Sequence, residues 1–502
     1  MRFSPKFAAG VGVCTFAAIA LAVGVHGMAP GAGAGAGTGT GTGTGVAVTV
    51  PAIDTTPLLR SVPPGPGAVT LSFAPIVRTA TPAVVNIYTA TLDRSRSTTM
   101  DAFMQQYFGG GAPLQPRVQQ SLGSGVIVGA DGLIVTNNHV VAGADQILVA
   151  LADRREYPAK LVFSDARLDL ALLKVDARGT KLPVITMGDS DQAQVGDVTI
   201  AIGNPFGVGQ TVTTGIVSAL ARTGIGISDW QFFIQTDAAI NPGNSGGALL
   251  DGRGRLIGIN TAIFSRTGGS NGIGFAIPSK MVGVFLNAAQ TGKLVSGWIG
   301  VEGEALTAQS AQAAGFDRPG GVLVTAIAPG GPGDRAGIRI GDVLRSIDDQ
   351  PVIDGGQLRY SLATKGVGNA VAIVLVRGGR EQRVVVTLAL PPETPTRQLT
   401  PIGGRSILAG VTVANLSPAL AQELGSGLPE HGVVVVRLGN GAPAAQIGLR
   451  PGDIIENLGG SPVRNVADVA ALAARGAASI RWSRGGASTE CGVSGGQLVC
   501  RR

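Results

Sequence analysis

The sequence predicts a mainly β protein with three folded domains, of which the last two are copies of one unit. Between residues 83 and 277, about ten to twelve short apolar runs are separated by glycine and proline turns, with no long amphipathic helix among them. This spacing favours a barrel or a sandwich. The stretch that begins at Gly321 aligns without gaps with the stretch that begins at Gly432. The length of 502 residues fits roughly three domains of about 150 residues each.

The N-terminus has the pattern of an export signal. Arg2 and Lys6 precede an apolar run over residues 7–25, and the small residues at 32–34 fit a signal-peptidase site. Residues 1–34 are therefore predicted to be a signal peptide. The run is also just long enough to span a bilayer, so an uncleaved membrane anchor is the alternative. In either case we expect the body of the protein outside the cytoplasm, with membrane contact only through this segment.

Low-complexity sequence separates this segment from the first domain. Residues 35–68 are rich in glycine, threonine and proline and are predicted to be a flexible linker, because few of their side chains could build a core. The first domain is predicted at 69–292. Its last element is a helix over Ser279–Gln290, capped by that serine and stopped at Gly292. Residues 91–120 lose periodicity and are expected to form a long mobile loop.

The two repeats are predicted at 296–391 and 404–490, joined by the proline-rich segment Pro391–Pro401. A glycine turn of similar sequence precedes the aligned stretch in each copy. After the second copy, Cys491 and Cys500 flank a glycine-rich stretch that could turn back as a hairpin. In an oxidising compartment they would form a disulfide, and two free thiols are the alternative. Their spacing does not resemble a metal site.

The chain is basic, with a formal net charge of +7 at pH 7 and a sequence pI of about 9.7. Its basic residues are scattered singly or as pairs, without long Lys/Arg runs or interleaved aromatic residues. We therefore expect a solvated basic surface and no nucleic-acid partner. No pattern in the sequence indicates a metal ion or another cofactor.

The stretch around Ser245 has the pattern of a serine nucleophile. Ser245 lies in Gly-Asn-Ser-Gly-Gly, over residues 243–247, where glycine can adopt the positive φ that a tight turn needs. A serine hydroxyl is a poor nucleophile alone and requires a base, an orienting group and backbone N–H donors for the oxyanion. The alternative is a tight surface turn without chemistry, so the rest of the chain has to decide.

His139 is the only histidine of the first domain, since the other two of the three in the chain lie in the export segment and in the second repeat. It follows a predicted strand and is the only base available to Ser245. Asp169 is the best candidate for the orienting carboxylate. It opens an apolar run and would be partly buried, where an unpaired charge is costly. The chain order His139, Asp169, Ser245 is that of chymotrypsin-like double barrels.

Together these motifs resemble those of the HtrA/Deg family of serine proteases, over residues 70–485 or so. The matching motifs are Gly123-Ser-Gly-Val-Ile-Val, Thr136-Asn-Asn-His-Val-Val, Asp169-Leu-Ala-Leu-Leu-Lys, Gly203-Asn-Pro-Phe-Gly, Thr236-Asp-Ala-Ala-Ile-Asn-Pro-Gly-Asn-Ser-Gly-Gly and two repeats that are similar to PDZ domains. The joint match is specific, whereas each motif alone would be weak. The resemblance implies a chymotrypsin-like double β-barrel protease domain followed by two PDZ domains, an arrangement similar to the DegP/DegQ branch.

The resemblance also implies roles for individual residues. His139 would be the general base, Asp169 its orienting acid and Ser245 the nucleophile. The oxyanion-hole amides would be those of Gly243, Asn244 and Ser245. At the level of the whole protein, the resemblance implies an exported, ATP-independent endopeptidase of the periplasm. Such a protease degrades misfolded or unfolded envelope proteins and assembles as a trimer or as an oligomer of trimers.

The residues near the nucleophile predict a specificity. Ile240 and the strand residues Ala262, Ile263 and Phe264 are expected to line the primary pocket, with no acid at its base. Such a pocket takes small or medium apolar side chains, such as Val, Ala, Leu or Ile, and disfavours Lys or Arg. In relatives, a loop near the position of Arg222 senses the ligand of the first PDZ domain, so the resemblance makes Arg222 a candidate activation sensor.

The PDZ-like repeats predict a second kind of binding. In each repeat, an extended C-terminal peptide is expected to add a strand at a sheet edge, with its carboxylate at the N–H groups of a turn. The turns are Ile299, Gly300 and Val301 in the first repeat, and Ala409, Gly410 and Val411 in the second. For the second repeat, whose last strand is weakly apolar, a role as spacer or oligomer contact is the alternative.

Two other functions compete with the degradation of unfolded proteins. A chaperone-like holdase would use the apolar loop around residues 103–108 and the PDZ edges, with proteolysis only conditional. A membrane-anchored stress-signalling protease would cut one native substrate rather than many unfolded ones. Cleavage of an unfolded protein by the wild type and not by Ser245→Ala separates the enzyme from the holdase.

Overall fold

The computed structural model describes residues 48–58, 60, 72–92, 118–204, 209–222, 232–241, 243–263, 270–313, 315–316, 319–404, 406–425, 428–439, 441–494 and 497–501. The predicted export segment at 1–34 and the centre of the predicted loop at 91–120 lie outside these residues. Within them, no helix is both long enough and apolar enough to cross a membrane.

Two closed six-stranded barrels form the first domain. Its strands are β1 (Ile53–Asp54), β2 (Val84–Leu92), β3 (Val118–Gly129), β4 (Leu133–Thr136), β5 (Gln146–Ala150), β6 (Glu156–Asp165), β7 (Leu170–Val175), β8 (Met187–Gly188), β9 (Val198–Gly203), β10 (Thr211–Arg222), β11 (Phe233–Thr236), β12 (Ala248–Asp251), β13 (Leu256–Ile263) and β14 (Gly274–Pro278). The first barrel closes in the order β2-β3-β4-β7-β6-β5. The second follows the order β13-β12-β9-β10-β11-β14 and closes where β14 pairs with β13.

The neighbouring strands β4 and β7 are the most deeply buried part of the first barrel. Every residue of β4 is buried, and in β7 only Lys174 is half-buried. Full burial of a Leu or Ile side chain contributes about 1.5–3 kcal/mol to the free energy of unfolding, so these two strands form a rigid frame. His139 follows one of them and Asp169 precedes the other, which places both residues on that frame.

Helices are short and few among the described residues. They are α1 (Ala74–Ala80), α2 (Asn138–Val141), α3 (Ser279–Thr291), α4 (Ala308–Ala313), α5 (Pro332–Arg335), α6 (Gly355–Lys365), α7 (Pro418–Leu424), α8 (Pro443–Gln446) and α9 (Val466–Ala474). The prediction of a mainly β protein is confirmed.

Helix α3 begins and ends close to the predicted positions, but the predicted N-cap is wrong. Pro278 occupies the cap position, and no side chain makes a capping hydrogen bond. The buried Ser279 hydroxyl instead donates to the carbonyl of Gly188 at 2.6 Å and accepts the N–H of Ser190 at 3.2 Å. The Ser279 hydroxyl is therefore engaged by residues of a distant segment, and it does not cap the helix as the sequence pattern predicted. At the other end, Gly292 has a φ of 75° and stops the helix.

The predicted linker at 35–68 contains an ordered segment. Strand β1 pairs in parallel with β8, with Ile53 opposite Met187. The guanidinium of the buried Arg255 donates to the carbonyl of Thr56 at 2.6 Å. A buried cation needs acceptors, and this segment supplies one. The prediction of a flexible linker is therefore wrong for this part, because its backbone completes the surroundings of a buried charge.

Each repeat forms a sheet flanked by short helices. The first contains β15 (Val301–Ala305), β16 (Val322–Ile327), β17 (Val343–Ile347), β18 (Gln350–Pro351), β19 (Ala370–Arg377) and β20 (Arg380–Thr387). The second contains β21 (Thr400–Ile402), β22 (Val411–Leu416), β23 (Gly432–Leu438), β24 (Ile454–Leu458), β25 (Ser461–Pro462), β26 (Ser479–Arg484), β27 (Ala487–Ser494) and β28 (Gln497–Arg501). The main paths are β15-β16-β17-β19-β20 and β21-β22-β23-β24-β26-β27-β28.

The second sheet thus has one additional strand at each end, and it extends on both sides of the predicted range 404–490. At its C-terminal end, β27 and β28 form the hairpin that the glycine-rich stretch predicted. Cys491 lies opposite Cys500 in this hairpin, and the two are joined by a disulfide with their Cα atoms 4.1 Å apart. Of the two alternatives for these cysteines, the structure has the disulfide.

The first repeat packs on the second barrel through aromatic rings. Phe232 and Tyr360 stack with their ring centroids 3.6 Å apart. The Tyr360 hydroxyl donates to Oδ1 of Asp191 at 2.5 Å. Burial raises the pKa of Asp191 and raises that of Tyr360 well above its usual value, so the phenol stays protonated and available as a donor. Helix α6, which carries Tyr360, is therefore fixed to the residue that precedes β11.

Candidate active site

His139 and Asp169 meet where two neighbouring strands end. Strands β4 and β7 pair antiparallel, with Thr136 opposite Ala171. Helix α2 carries His139 just after β4, and Asp169 lies just before β7. Nδ1 of His139 is 2.8 Å from Oδ2 and 3.0 Å from Oδ1 of Asp169. The backbone N–H of His139 also donates to Oδ1 at 3.0 Å.

The surroundings of this pair fit a general base and its orienting acid. When Nδ1–H donates to the carboxylate, Nε2 keeps its lone pair and can accept a proton. The side chain of His139 is 50% exposed, whereas that of Asp169 is 11% exposed. The ring is therefore accessible from the cleft, and the carboxylate that holds it is largely shielded from water.

Asp169 has a strained backbone that several contacts maintain. Its φ is 54°, in the left-handed region that residues other than glycine rarely adopt. Its carbonyl accepts from the N–H of Asn138 at 3.1 Å and from Nδ2 of Asn137 at 2.9 Å. Strain of this kind costs about 1–3 kcal/mol and persists only where the surroundings fix it. These contacts fix the direction of the carboxylate.

Thr261, in β13 of the second barrel, contacts two of the predicted catalytic residues. Its hydroxyl donates to Oδ2 of Asp169 at 2.7 Å. Its carbonyl accepts from the Ser245 hydroxyl at 3.1 Å. Within the described part of the chain, no hydrogen bond joins that hydroxyl to the ring of His139. Sequence reasoning missed Thr261, because nothing local to this residue shows that β13 passes between the two barrels at this point.

Ser245 lies in a turn that only glycine can bound. Gly243 has a φ of 97° and Gly246 a φ of 84°. A Cβ atom on Gly246 would lie 2.0 Å from the carbonyl oxygen of Ser124, far inside van der Waals contact. The turn therefore rests directly on strand β3 of the first barrel, which fixes the nucleophile relative to the other half of the cleft.

Ser124 connects this turn to the first barrel. Its buried hydroxyl donates to the carbonyl of Gly243 at 2.7 Å and accepts the N–H of Asn204 at 2.9 Å. Its backbone N–H donates to the carbonyl of Ser245 at 2.8 Å. Ser124 belongs to a motif that the sequence analysis identified, but its role depends on a partner that is 119 residues away and was not predicted. These bonds fix the peptide plane between Gly243 and Asn244.

The three amides predicted for the oxyanion hole differ in availability. The N–H of Asn244 donates to the carbonyl of Asn241 at 2.9 Å and is already engaged. For the N–H groups of Gly243 and Ser245, the described residues provide no acceptor. In serine proteases, the oxyanion is bound by two backbone N–H groups, one from the nucleophile and one from the residue two positions before it. The geometry therefore favours Gly243 and Ser245 over Asn244.

Comparison with known proteins agrees with this geometry. Residues 123–259 match the trypsin-like peptidase domain, and residues 297–388 and 434–481 match PDZ domains. The probable periplasmic serine endoprotease DegP-like of Ectopseudomonas mendocina is 39% identical over 425 residues, which cover 80% of this chain and 88% of that protein. The periplasmic serine endoprotease DegP of Escherichia coli K12 is 39% identical over 423 residues, which cover 79% of this chain and 86% of that protein. The chain belongs to the DegP family of serine endoproteases.

Among solved structures, the HtrA-type protease AlgW with decapeptide is 45% identical, covers 64% of this chain and 99% of that one, and has a TM-score of 0.48. The DegP-family protein has the predicted architecture, a chymotrypsin-like double barrel followed by two PDZ domains, here named PDZ1 and PDZ2 in chain order. The prediction of a serine endopeptidase is confirmed as well.

The predicted substrate pocket of this DegP-family protease lies only partly within the described residues. Ile240 is buried against Gly274, where a Cβ atom would lie 2.8 Å from Cγ1 of the isoleucine. Ala262 and Ile263 end strand β13, but their side chains lie outside the description, as does the whole of Phe264. The apolar lining of the pocket therefore stays a prediction, with Ile240 placed beside the end of β14.

Arg222 ends strand β10 opposite Phe233 in β11, and its side chain lies outside the described residues. This position is adjacent to Phe232, which stacks on Tyr360 of PDZ1. Through the pairing of β10 with β11, the candidate sensor therefore lies next to the contact between the barrel and PDZ1.

A contact that the sequence did not predict joins PDZ2 to the turn before Asp169. Nη1 of Arg167 donates to the carbonyls of Gln422 and Glu423 at the end of helix α7, the first at 2.9 Å. The same guanidinium pairs with Asp165, which is 8% exposed. The last carbonyls of a helix are free acceptors with partial negative charge. PDZ2 therefore holds the turn that carries Asp169.

The two predicted carboxylate-binding turns lie at the same place in PDZ1 and PDZ2 but have different surroundings. Gly300 and Gly410 have φ values of 71° and 82°. Of the flanking side chains, Ile299 and Val411 are buried, and Val301 and Ala409 are half-buried. The N–H of Gly410 donates to the carbonyl of Ile402 at 2.8 Å. For the N–H of Gly300, the described residues provide no acceptor.

Proposed function

We propose that this protein is an exported, ATP-independent endopeptidase of the periplasm that degrades misfolded or unfolded envelope proteins. The observation that carries the proposal is the pairing of Nδ1 of His139 with Asp169, with the His139 side chain 50% exposed and Ser245 in a glycine-bounded turn. The export pattern at residues 1–34 and the relatives named periplasmic endoproteases support the location. The same pattern leaves an anchor in the inner membrane as the alternative form.

The proposed reaction is acyl transfer. The Ser245 hydroxyl turns from the carbonyl of Thr261 toward Nε2 of His139, which takes its proton as Oγ attacks the substrate carbonyl. Asp169 stabilises the imidazolium that forms. The N–H groups of Gly243 and Ser245 bind the oxyanion. His139 then gives the proton to the leaving amine, and water releases the acyl group by the same route in reverse.

The arrangement of Ser245 supports a resting state that substrate or ligand converts. Hydrogen bonds of a catalytic centre are often longer or misaligned without substrate, and here the hydroxyl has another acceptor, the carbonyl of Thr261. The half of the centre formed by His139 and Asp169 is assembled, so the proposed activation needs the rotation of one side chain, that of Ser245.

Binding of a peptide at PDZ1 is the proposed trigger. Strand β15 is an edge of its sheet, and helix α6 lies beside it. A peptide added there would contact α6, whose Tyr360 stacks on Phe232. Phe232 precedes β11, in which Phe233 pairs with Arg222. This continuous set of contacts supports Arg222 as a sensor between the PDZ1 groove and the active site.

The proposed assembly is a homotrimer or an oligomer of trimers, as the family resemblance implies. The apolar character of Ile240 and of the predicted lining residues Ala262, Ile263 and Phe264 supports cleavage after Val, Ala, Leu or Ile. An enzyme of this kind selects substrates by the accessibility of apolar segments, which unfolded proteins expose and folded proteins bury.

Cleavage of reduced, unfolded casein by residues 35–502 tests the proposal, with wild type beside Ser245→Ala and the fragment ends sequenced. We expect cuts after Val, Ala, Ile or Leu in the wild type, and a loss of about 10⁶-fold in kcat on substitution, as when the nucleophile of such a triad is removed. If neither protein cuts and both keep casein soluble, the protein is a holdase. Cleavage of one native protein, with casein left intact, would instead indicate a signalling protease.

A further inference from the structure

The peptide-binding edge of PDZ2 is already paired, whereas no strand in the described part of the chain pairs with the same edge of PDZ1. In PDZ1 the strand after the glycine turn, β15, is the last in its sheet. In PDZ2 the corresponding strand, β22, pairs antiparallel with β21, which the chain's own inter-repeat segment forms. The register places Thr400 opposite Val413 and Ile402 opposite Val411. An additional antiparallel strand at this edge is the geometry by which PDZ domains bind peptides.

The end of β21 lies where the end of a bound peptide would lie. The N–H of Gly410, in the predicted carboxylate-binding turn, donates to the carbonyl of Ile402 at 2.8 Å. In PDZ recognition, N–H groups of such a turn bind the terminal carboxylate of the ligand. The Ile402 carbonyl therefore takes the place of one carboxylate oxygen. Pro401 lacks an N–H, but proline is tolerated in a strand at the edge of a sheet.

The side chain of Ile402 fills the apolar site beside that turn. It is 5% exposed and belongs to the PDZ2 core. Helix α9 packs against both β21 and β22, so β21 lies between a strand and a helix, as a PDZ ligand does. Burial of an isoleucine side chain contributes about 1.5–3 kcal/mol, which gives this segment an apolar anchor at its final position.

Contacts on the N-terminal side of β21 hold the same segment in place. Asn415 donates from its side chain to the carbonyl of Thr396 at 3.0 Å, and its backbone N–H donates to the carbonyl of Arg397 at 2.7 Å. Oδ1 of Asn415 accepts the N–H of Val466, the first residue of α9, at 2.8 Å. One side chain thus joins the segment to both walls of the groove. Arg397 also pairs with Glu423 at 3.0 Å.

We propose that the PDZ2 groove is a peptide-binding site whose resident ligand is the chain's own Thr400–Ile402. Its ligand class is an extended segment that ends in a β-branched apolar residue, and other peptides enter only when this segment is displaced. PDZ1 is then the one of the two PDZ grooves that is open to C-terminal peptides in the resting protein. The inference rests on the proposed peptide binding at PDZ edges but not on proteolysis, and its tests use protein that carries Ser245→Ala.

Amide hydrogen exchange in otherwise unsubstituted full-length protein gives the first test. Gly410 has an acceptor for its N–H and Gly300 has none among the residues that the structure describes, so each serves as the control for the other. We expect the amide of Gly410 to exchange at least about tenfold more slowly than that of Gly300, because exchange at Gly410 requires local opening of the groove. Equal, fast exchange at both glycines would show that β21 does not occupy the PDZ2 groove and would overturn the proposal.

Photocrosslinking gives the second test. The probe is the peptide Thr-Arg-Gln-Leu-Thr-Pro-Ile, which copies residues 396–402, with a free carboxylate and an N-terminal benzophenone. We expect it to label PDZ1 alone in the otherwise unsubstituted protein. With Ile402→Asp, or with Thr400–Ile402 replaced by Gly-Ser-Gly, label should also appear in PDZ2 near α9. Leu399→Asp, which changes a residue that is 58% exposed, is the matched control and should label as the unsubstituted protein does.

Two results of the crosslinking experiment would refute the proposal. Label in PDZ2 of the unsubstituted protein, at the level that Ile402→Asp gives, would mean that the groove is open without displacement. Absence of label in PDZ2 of both groove variants, with the fluorescence of the buried Trp482 showing that PDZ2 is folded, would mean that the edge does not accept a peptide. If either variant unfolds PDZ2, the hydrogen-exchange comparison between Gly410 and Gly300 decides alone.

Discussion

The Ser124 hydroxyl should contribute to both the stability of the protein and its rate of proteolysis, and Ser124→Ala measures both. The substitution leaves the N–H of Asn204 without its acceptor and the carbonyl of Gly243 without its donor, at a site where Ser124 is 0% exposed. An unsatisfied buried polar group costs about 1–3 kcal/mol. Because two such groups lose their partner, we expect the free energy of unfolding to fall by about 2–6 kcal/mol.

The effect on rate comes from the freed peptide plane. A hydrogen bond makes a net contribution of about 0.5–1.5 kcal/mol to the stability of the arrangement that it holds. A change of about 1.4 kcal/mol in the activation free energy corresponds to about tenfold in rate. If the bond to Gly243 holds the turn in its productive form, kcat/KM on a peptide substrate should fall up to about tenfold. The change should appear in kcat more than in KM, because the oxyanion forms only in the transition state.

Ser279→Ala is the matched control, since the Ser279 hydroxyl makes the same pair of bonds with Gly188 and Ser190, which are not hydrogen-bonded to His139, Asp169 or Ser245 in the described structure. It donates to the carbonyl of Gly188 and accepts the N–H of Ser190, and it too is 0% exposed. Urea unfolding should show similar losses of stability for both variants, while only Ser124→Ala lowers kcat/KM at a temperature where both are folded. Equal activity of the two variants, whether both reduced or both unchanged, would refute the positioning role of Ser124.

Three further perturbations test other parts of the site. Thr261→Val removes a hydrogen bond to Asp169, the proposed catalytic carboxylate, and should lower kcat about tenfold or more with KM little changed. Thr261→Ser should restore kcat, and a normal kcat for the valine variant would contradict the role of Thr261. Gly246→Ala places a methyl group against the carbonyl oxygen of Ser124 and should destabilise the protein far more than Gly272→Ala does. Gly272 has a similar φ of 82°, but a Cβ atom there would have no neighbour within 4 Å. The difference between the urea midpoints of the two variants therefore isolates the steric clash. Because burial raises the pKa of Asp191 above its ordinary 3.8, the folded state disfavours the carboxylate, and wild-type stability should fall as pH rises through the raised pKa. Asp191→Asn should lack this slope while keeping an acceptor for Tyr360, and parallel stability curves for both proteins between acid and neutral pH would exclude the effect.

Local patterns were sufficient for the parts of the fold that depend on neighbouring residues. The alternation of apolar runs and turns predicted the mainly β class, and the repeat predicted two copies of one small domain. The pairing of His139 with Asp169 followed from one histidine in the domain and one carboxylate at the start of a buried run. Each of these inferences needs only the types and the order of residues along the chain, without knowledge of which distant segments pack together.

The parts that sequence reasoning missed depend on contacts between distant segments. Ser279 has the residue type and position of an N-cap, yet two partners about 90 positions earlier in the chain take its hydroxyl. Thr261 and Ser124 gain their roles only because the two barrels pack together. The segment around Pro401 has the composition of a linker, yet it ends in an ordered strand. It is ordered because it pairs with the edge of the PDZ2 sheet, whose strands follow it in the sequence.

The open edge of PDZ1 also determines how this protein behaves at high concentration. An unpaired strand is a template on which a second copy of the same strand can pair. In an antiparallel pair centred on Gly303, Glu302 of one copy would lie opposite Glu304 of the other, and like charges in facing positions repel. The edge is thereby protected from self-association while it remains accessible to other chains. Incoming strands that carry lysine or arginine at these positions would meet attraction instead.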